Sequence, residues 1–307
     1  MAAAPRARPT DFFSADEWRN LCTRSSWRGL WLVAHCWGVI GLCMALALRW
    51  PLLIPLAVVV IGTRQLGLFI LMHDAAHGVL HSNRRVNDWV GYWLCSTGMH
   101  QYRPYHLQHH RFVQQTEDPD LVLSAPFPVS RQSFWRKVVR DLTGQTWLKQ
   151  HFGAVQQQVR RRPVGTPAWR ALASSLAQKR RFLLANAIGL GLFALAGQAW
   201  LWLLLWLLPA MTWLQLVYRV RNIAEHALVA QNEPDPLRQA RTTRANWIAR
   251  MLVAPYWVNY HAEHHLFTPL PCWQLPQAHR LLQRSGSTRG MLLQPGYLAV
   301  LRLATAA

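Results

Sequence analysis

Four apolar runs set the terms on which this chain can fold. Leu30 to Leu48 is almost free of charge and about as long as a helix needs to be to cross a hydrocarbon core of roughly 30 Å. A second run follows the turn signal Arg49-Trp50-Pro51 and extends from Leu52 to Met72, interrupted only by Arg64 and Gln65. The third, Phe182 to Ala196, is shorter, and the fourth, Ala199 to Val220, is rich in Leu and Trp. Only Gly197-Gln198 separates these last two, a link too small for anything but a hairpin turn. The expected fold class is therefore all-α integral membrane: four transmembrane helices (about 30–48, 52–72, 182–196 and 199–220) in two hairpins. Both termini and the long middle segment then share one side, where they form a helical cap.

Charge gives that side a name. The chain holds 33 Lys+Arg against 13 Asp+Glu, a formal +20. In a soluble protein this excess would suggest nucleic acid. Beside apolar runs it fits a basic face on anionic membrane lipids, and no nucleic-acid partner is expected. Residues 1–29 carry five of the basic residues, 73–181 sixteen and 219–307 ten, all on the same side by this topology. Only Arg49 lies on the other face, and Arg64 sits within the second span. The positive-inside rule makes the basic side cytoplasmic.

The layout is then a cytoplasmic N-terminal segment (1–29), a main domain (30–285) and a peripheral C-terminal tail (286–307). Arg6, Arg8, Asp11, Asp16 and Glu17 precede any apolar stretch, which argues against a cleavable signal peptide. The five cysteines are scattered, without a C-x-x-C pair, as expected of free thiols in a reducing compartment. Arg64 reads as an interfacial or helix-facing residue, His35 as a packed histidine without a role, and Trp27, Trp31, Trp50 and Trp200 as interfacial anchors.

The histidines carry the chemistry. Ten of the fourteen fall in four places. The first is His73-x3-His77, with His81 beyond it, and the second His106-x2-His109-His110. His226 ends Asn222-Ile223-Ala224-Glu225-His226, and the last is His261-x2-His264-His265. On a helix, residues three and four apart share a face, so H-x-x-x-H points two imidazoles the same way. H-x-x-H-H places its members at 0°, about −60° and about +40°, converging on one side. His73 comes about 21 residues into the second span and His226 about two turns past the fourth, so both hairpins deliver histidines to one cytoplasmic layer.

Neutral imidazole binds iron, zinc and copper, and nine or ten are too many for one tetrahedral ion, so two metals are expected in the cap. Spacing does not name the metal. The absence of H-E-x-x-H disfavours a metalloprotease. Asp74, Glu225 and Glu263, each beside a histidine, read as partners that orient imidazole N–H groups. A metal transporter would need polar ligands near the bilayer midplane, of which these spans hold almost none.

In box order, spacing and the hairpin between boxes, the chain resembles the membrane fatty acid desaturase superfamily from about residue 50 to 285. His73/His77, His106/His109/His110 and His261/His264/His265 match its three histidine boxes, and His226 matches an additional histidine after the fourth span. Asn222 sits where acyl-CoA desaturases hold a metal through water. Asn259-Tyr260-His261-Ala262-Glu263-His264-His265-Leu266-Phe267 looks like the bacterial and front-end acyl-lipid branch, which implies a bacterial inner membrane. His81 lies outside the standard first box.

The resemblance implies two iron ions cycling between Fe2+ and Fe3+, held by the nine box and extra histidines, with no catalytic residues beyond the ligands. It implies O2 and an acyl chain (in a lipid or thioester) as substrates. No cytochrome b5-like or rubredoxin-like module is present, so electrons would come from a separate carrier such as a ferredoxin. Alkyl hydroxylation, ketone formation and oxidative decarboxylation use the same cage and remain open.

The cage reading predicts that His109→Ala or His264→Ala abolishes activity and lowers metal content while membrane insertion persists, whereas His81→Ala is milder. Metal analysis of purified variants checks this, and full activity in either cage variant refutes it.

Overall fold

The second apolar run becomes a single unbroken helix that carries the first histidine pair on its last two turns. The computed structural model describes residues 3–306. Its helices run in chain order as α1 (Ala15–Leu21), α2 (Arg28–Arg49), α3 (Ile54–His77), α4 (Arg84–Val90), α5 (Met99–Arg111), α6 (Leu121–Ser124), α7 (Arg131–Leu142), α8 (Gln145–Arg160) and α9 (Ala168–Leu195). They continue with α10 (Ala199–Trp202), α11 (Leu208–Met211), α12 (Trp213–His226), α13 (Trp247–Leu252), α14 (His261–Leu266), α15 (Leu275–Arg284) and α16 (Tyr297–Ala304). The all-α expectation holds apart from two three-residue strands, β1 (Arg241–Thr243) and β2 (Leu292–Gln294).

Among the described residues, three helical stretches are long and apolar enough to cross a membrane: Arg28–Arg49, Pro51–His77 and Ala199–His226. They contain the expected spans 30–48, 52–72 and 199–220. The expected span 182–196 does not join them, so the count of four is corrected to three. Its residues are the second half of α9, whose first half carries Arg170, Lys179, Arg180 and Arg181. The fourteen residues that remain, 182–195, apolar but for Asn186, reach only about 21 Å at 1.5 Å per residue, short of a roughly 30 Å core.

The chain divides into two compact units. One comprises 39–65 and 135–216. Within it the indole of Trp213 donates to Thr63 Oγ1 (3.0 Å), Gln65 Nε2 donates to the Trp206 carbonyl (2.7 Å), and Lys179 Nζ donates to the His151 carbonyl (3.0 Å). The apolar half of α9 leaves Leu184, Ile188, Leu192 and Leu195 exposed, and Arg64 is buried. A face of exposed leucines is a liability in water and ordinary against lipid.

The other unit comprises residues up to 38, 66–134 and 217–307, and contains every predicted metal ligand. Its organising point is the C-terminus of α3. Gly78 takes φ +76°, the Gly78 N–H donates to the Ala75 carbonyl (3.0 Å) and the Val79 N–H to the Asp74 carbonyl (3.0 Å). That pairing is a Schellman stop, for which glycine has the least steric cost. Side chains add hydrogen bonds to the last carbonyls of the helix. Arg103 donates to Ala75 (2.9 Å) and Ala76 (3.0 Å), and Asn87 Nδ2 donates to Ala75 (2.9 Å). Arg103 is braced in turn by Asp88 (2.6 Å). Because Arg103 lies one turn before His106 on α5, the same side chain ties the first histidine pair to the second box.

The third box needs outside support, since six-residue α14 is too short to be stable alone. It is held by β1. Thr242 Oγ1 accepts from the Ala262 N–H (3.2 Å), and Asn259 Nδ2 donates to the Thr243 carbonyl (3.0 Å). β1 pairs in parallel with β2, Arg241 opposite Leu292 and Thr243 opposite Gln294. The segment after Arg284, read from sequence as a peripheral tail, therefore supplies a strand to the support of the site. α16 follows it, with Val300 and Ala304 fully buried. Below α14, Phe267 packs edge-on against Phe13 (4.9 Å between centroids), Phe12 and Trp18.

The approach to α3 is close. A methyl added at Gly91 would overlap the Ala75 Cβ and come within 2.7 Å of Met99 Sδ. Gly91→Ala is expected to cost about 1–3 kcal/mol by overpacking. Thermal unfolding in detergent measures it, and an unchanged midpoint would show that the α3 terminus yields freely.

Candidate metal centre

Nine histidines from α3, α5, α12 and α14 converge in two groups. His73, His77, His106, His110 and His264 form the first, and His109, His226, His261 and His265 the second; within each, the candidate ligand atoms lie within 4.8 Å of one another. The grouping shows what the H-x-x-H-H spacing does. Sequence reasoning sends all three side chains of a box to one side. In the structure the i and i+4 members of the second box, His106 and His110, enter the first group, while the i+3 member, His109, enters the second. The third box does the reverse: His261 and His265 enter the second group and His264 the first. The i+3 and i+4 positions are about 100° apart around a helix, so one short helix can straddle two centres. The groups adjoin, with the His110 and His265 rings 4.3 Å apart.

The ring nitrogens meet in a way that protons alone cannot satisfy. In the first group Nε2 of His106 lies 2.9 Å from Nε2 of both His77 and His110, and His110 Nε2 is also 2.9 Å from His264 Nε2. In the second, His261 Nε2 is 2.8 Å from His226 Nε2 and 3.0 Å from His265 Nε2, which lies 3.3 Å from His109 Nε2. Each ring nitrogen has one in-plane position, occupied by a proton or a lone pair. It cannot serve two neighbours at once. His73 Nε2 is buried with no hydrogen-bond partner among the described residues, although its ring lies 4.3 Å from that of His264. Lone pairs crowded in this way fit a cation at the centre of each group.

Electrostatics agrees. Burial pushes His106, His110, His261, His264 and His265 well below the usual value of 6.5, and the neighbouring imidazoles push them further. These five imidazoles are thereby held neutral, the form that binds metal.

The outward-facing partners were only partly legible in the sequence. Asp118 accepts a hydrogen bond from His109 Nδ1 (2.8 Å), which leaves the Nε2 lone pair for a metal; its carboxylate is itself fixed by the Gln114 and Asp120 N–H groups (2.9 and 2.8 Å). Nothing in the spacing singles out Asp118, which enters through the Glu117-Asp118-Pro119-Asp120 turn. Asp74 Oδ1 lies 3.5 Å from His73 Nδ1, and Asp74 Oδ2 accepts from the Cys272 N–H (2.8 Å). Glu225 Oε1 accepts from Arg221 (2.6 Å), and its Oε2 lies 3.5 Å from His261 Nε2. Glu263 has two partners outside the nine, Thr242 Oγ1 and His279 Nδ1 (2.5 Å from the imidazole). Asn222 is half-buried one turn before His226. His81 lies in neither group; its Nδ1 accepts from the Asn83 N–H (2.9 Å) in the turn into α4. His35 Nδ1 lies 3.1 Å from the Tyr256 hydroxyl. All five cysteines are free.

Below 6.5 the unfolded chain takes up protons that the buried imidazoles refuse, so stability rises with pH across this range and is lost as pH falls. The metal-free protein is therefore expected to melt at progressively lower temperature from about pH 8 to pH 5, with metal affinity weakening over the same interval. Melting curves and metal titrations across that range test it, and pH-independent midpoints would contradict the neutral cage.

Comparison with known proteins agrees with this geometry. The chain is similar to the dihydrorhizobitoxine desaturase of Bradyrhizobium elkanii, 27% identical over 87% of this chain and 76% of that protein. It is 26% identical to a chloroplastic omega-6 fatty acid desaturase of Glycine max over 90% of this chain, spanning 65% of the relative's length. A beta-carotene ketolase of Paracoccus sp. (strain PC1) is 25% identical over 81% of this chain and 88% of its own. Residues 48–295 match the family model for fatty acid desaturases, so this chain belongs to the fatty acid desaturase family.

Proposed function

We propose that this protein is an O2-dependent di-iron desaturase that introduces a double bond into an acyl chain of a lipid or thioester. The observation that carries it is the pair of adjoining histidine groups, five imidazoles and four, in a family of oxidoreductases. The nine histidines would hold the two ions, and Asn222 would reach one of them through water. A pair of iron ions, when bound, supplies the two-electron chemistry with O2 and the oxidising power that an unactivated C–H bond requires. The balance is one acyl CH2–CH2 unit, O2, two electrons and two protons giving one double bond and two waters.

The chain's own part is to fix the ligands and exclude alternatives. Asp118 sets the tautomer of His109, Arg103 and Asn87 anchor the end of α3, and Thr242 and Glu263 hold α14 in register. The outward histidine face lies on the basic, cytoplasmic side of the membrane. The start of α2 and the end of α3 meet there, since a side chain at Gly29 would overlap the Leu80 carbonyl. Electrons then come from a separate cytoplasmic carrier of the ferredoxin kind.

A second reading has the same cage place oxygen on the substrate, as a ketolase or hydroxylase. The beta-carotene ketolase supports it, since this chain covers more of that relative's length than of either desaturase's. Oxidative decarboxylation of a fatty acid is a separate outcome open to the same cage.

Expression in a host fed defined fatty acids, followed by mass spectrometry of its lipids, separates the two. Loss of two hydrogens at one chain position is the expected result. Gain of one oxygen, or loss of one carbon, would overturn desaturation.

A further inference from the structure

We infer that Glu225 is a carboxylate ligand of the second metal position, so that this site offers four imidazoles and one oxygen where the first offers five imidazoles. The inference rests on the two-metal reading above and goes beyond it by adding a tenth protein ligand, of a different charge type.

The distinction lies in which ring nitrogen each carboxylate faces. Asp74 and Asp118 face Nδ1 of His73 and His109, and Glu263 faces Nδ1 of His279. A carboxylate at Nδ1 sits behind an imidazole and orients it. Glu225 is placed differently. Its Oε2 lies 3.5 Å from Nε2 of His261, the nitrogen that His226 and His265 also crowd at 2.8 and 3.0 Å. It approaches the second group at the nitrogen of His261 that a metal would use.

The helix makes the placement specific. Glu225 precedes His226 on α12 and follows Arg221 by one turn, and Arg221 Nε takes Oε1 at 2.6 Å. With one oxygen held by the guanidinium, the other is turned towards His261. Glu225 and its neighbours are buried, so an anionic oxygen beside imidazole lone pairs is favoured by a cation shared between them. A metal held by the four imidazoles would draw in this oxygen from its position beside His261 and remove the repulsion. It also makes the two ions inequivalent, because an anionic oxygen favours the higher oxidation state over a set of neutral nitrogens.

The test uses the full-length protein in detergent, loaded with iron(II) alone. Wild type is expected to bind two ions with two distinct Mössbauer signals. Glu225→Gln, which keeps shape and loses charge, is expected to weaken one ion's binding by about tenfold or more and to shift only that ion's signal. Asp118→Asn serves as the comparison: it weakens the same site, while the carboxylate-oxygen contribution to the X-ray absorption fine structure stays. That contribution is lost in Glu225→Gln. Should Glu225→Gln fail to fold, infrared spectra of wild type labelled with 13C-glutamate decide instead, since metal loading shifts a carboxylate band only if a glutamate binds. Two ions bound by Glu225→Gln with wild-type affinity and spectrum, or no glutamate band shift, would reduce Glu225 to a counter-ion of Arg221. A wild type that binds fewer than two ions would remove the two-metal reading itself, and the inference with it.

Discussion

The fold depends on the cost of gathering nine imidazoles out of water. A buried polar nitrogen without a partner is unfavourable by about 1–3 kcal/mol, and here several point at one another. No arrangement of single protons satisfies a nitrogen with two such neighbours, as at His106, His110, His261 and His265. The packing around the groups reads as the means of holding this unfavourable convergence in place. α3 is stopped by Gly78 and clamped by Arg103 and Asn87. α5 carries the clamp and the second box together. α14, too short to hold itself, leans on β1 and through it on β2.

Much of the centre was legible in the sequence because helical spacing is a strong code. H-x-x-x-H and H-x-x-H-H specify a face, and the length of the second apolar run places His73 and His77 at the end of one continuous helix. What spacing could not show is how a face divides between two centres. The i+3 and i+4 histidines flank the same broad face of a helical wheel, and only the position of the neighbouring helices sends His109 to one group and His110 to the other.

The partners were harder to read for the same reason. Asp118 reaches His109 through a turn, Arg103 reaches α3 from another helix, and Thr242 reaches Glu263 from a strand 21 residues upstream. Contacts made across the fold leave no periodic trace in the sequence. The third apolar run failed as a span because composition counted over 182–196 ignores the helix to which it belongs. The basic residues just before it are part of the same α9. The tail beyond Arg284 reads as peripheral because a three-residue strand carries almost no sequence signal, yet it holds the partner of β1.

The crossed assignment of His109 and His264 makes the two positions one mechanical object. Each of the short helices α5 and α14 grips both positions, two side chains on one and a single side chain on the other, in opposite senses. A sliding or rotation of either helix disturbs both positions together, and neither can be tuned in isolation by moving backbone. The separation between the positions is thus fixed by helical pitch. Side-chain slack at a single ligand cannot reset it, and evolution within such a frame can alter what lies around the pair far more easily than the spacing of the pair itself.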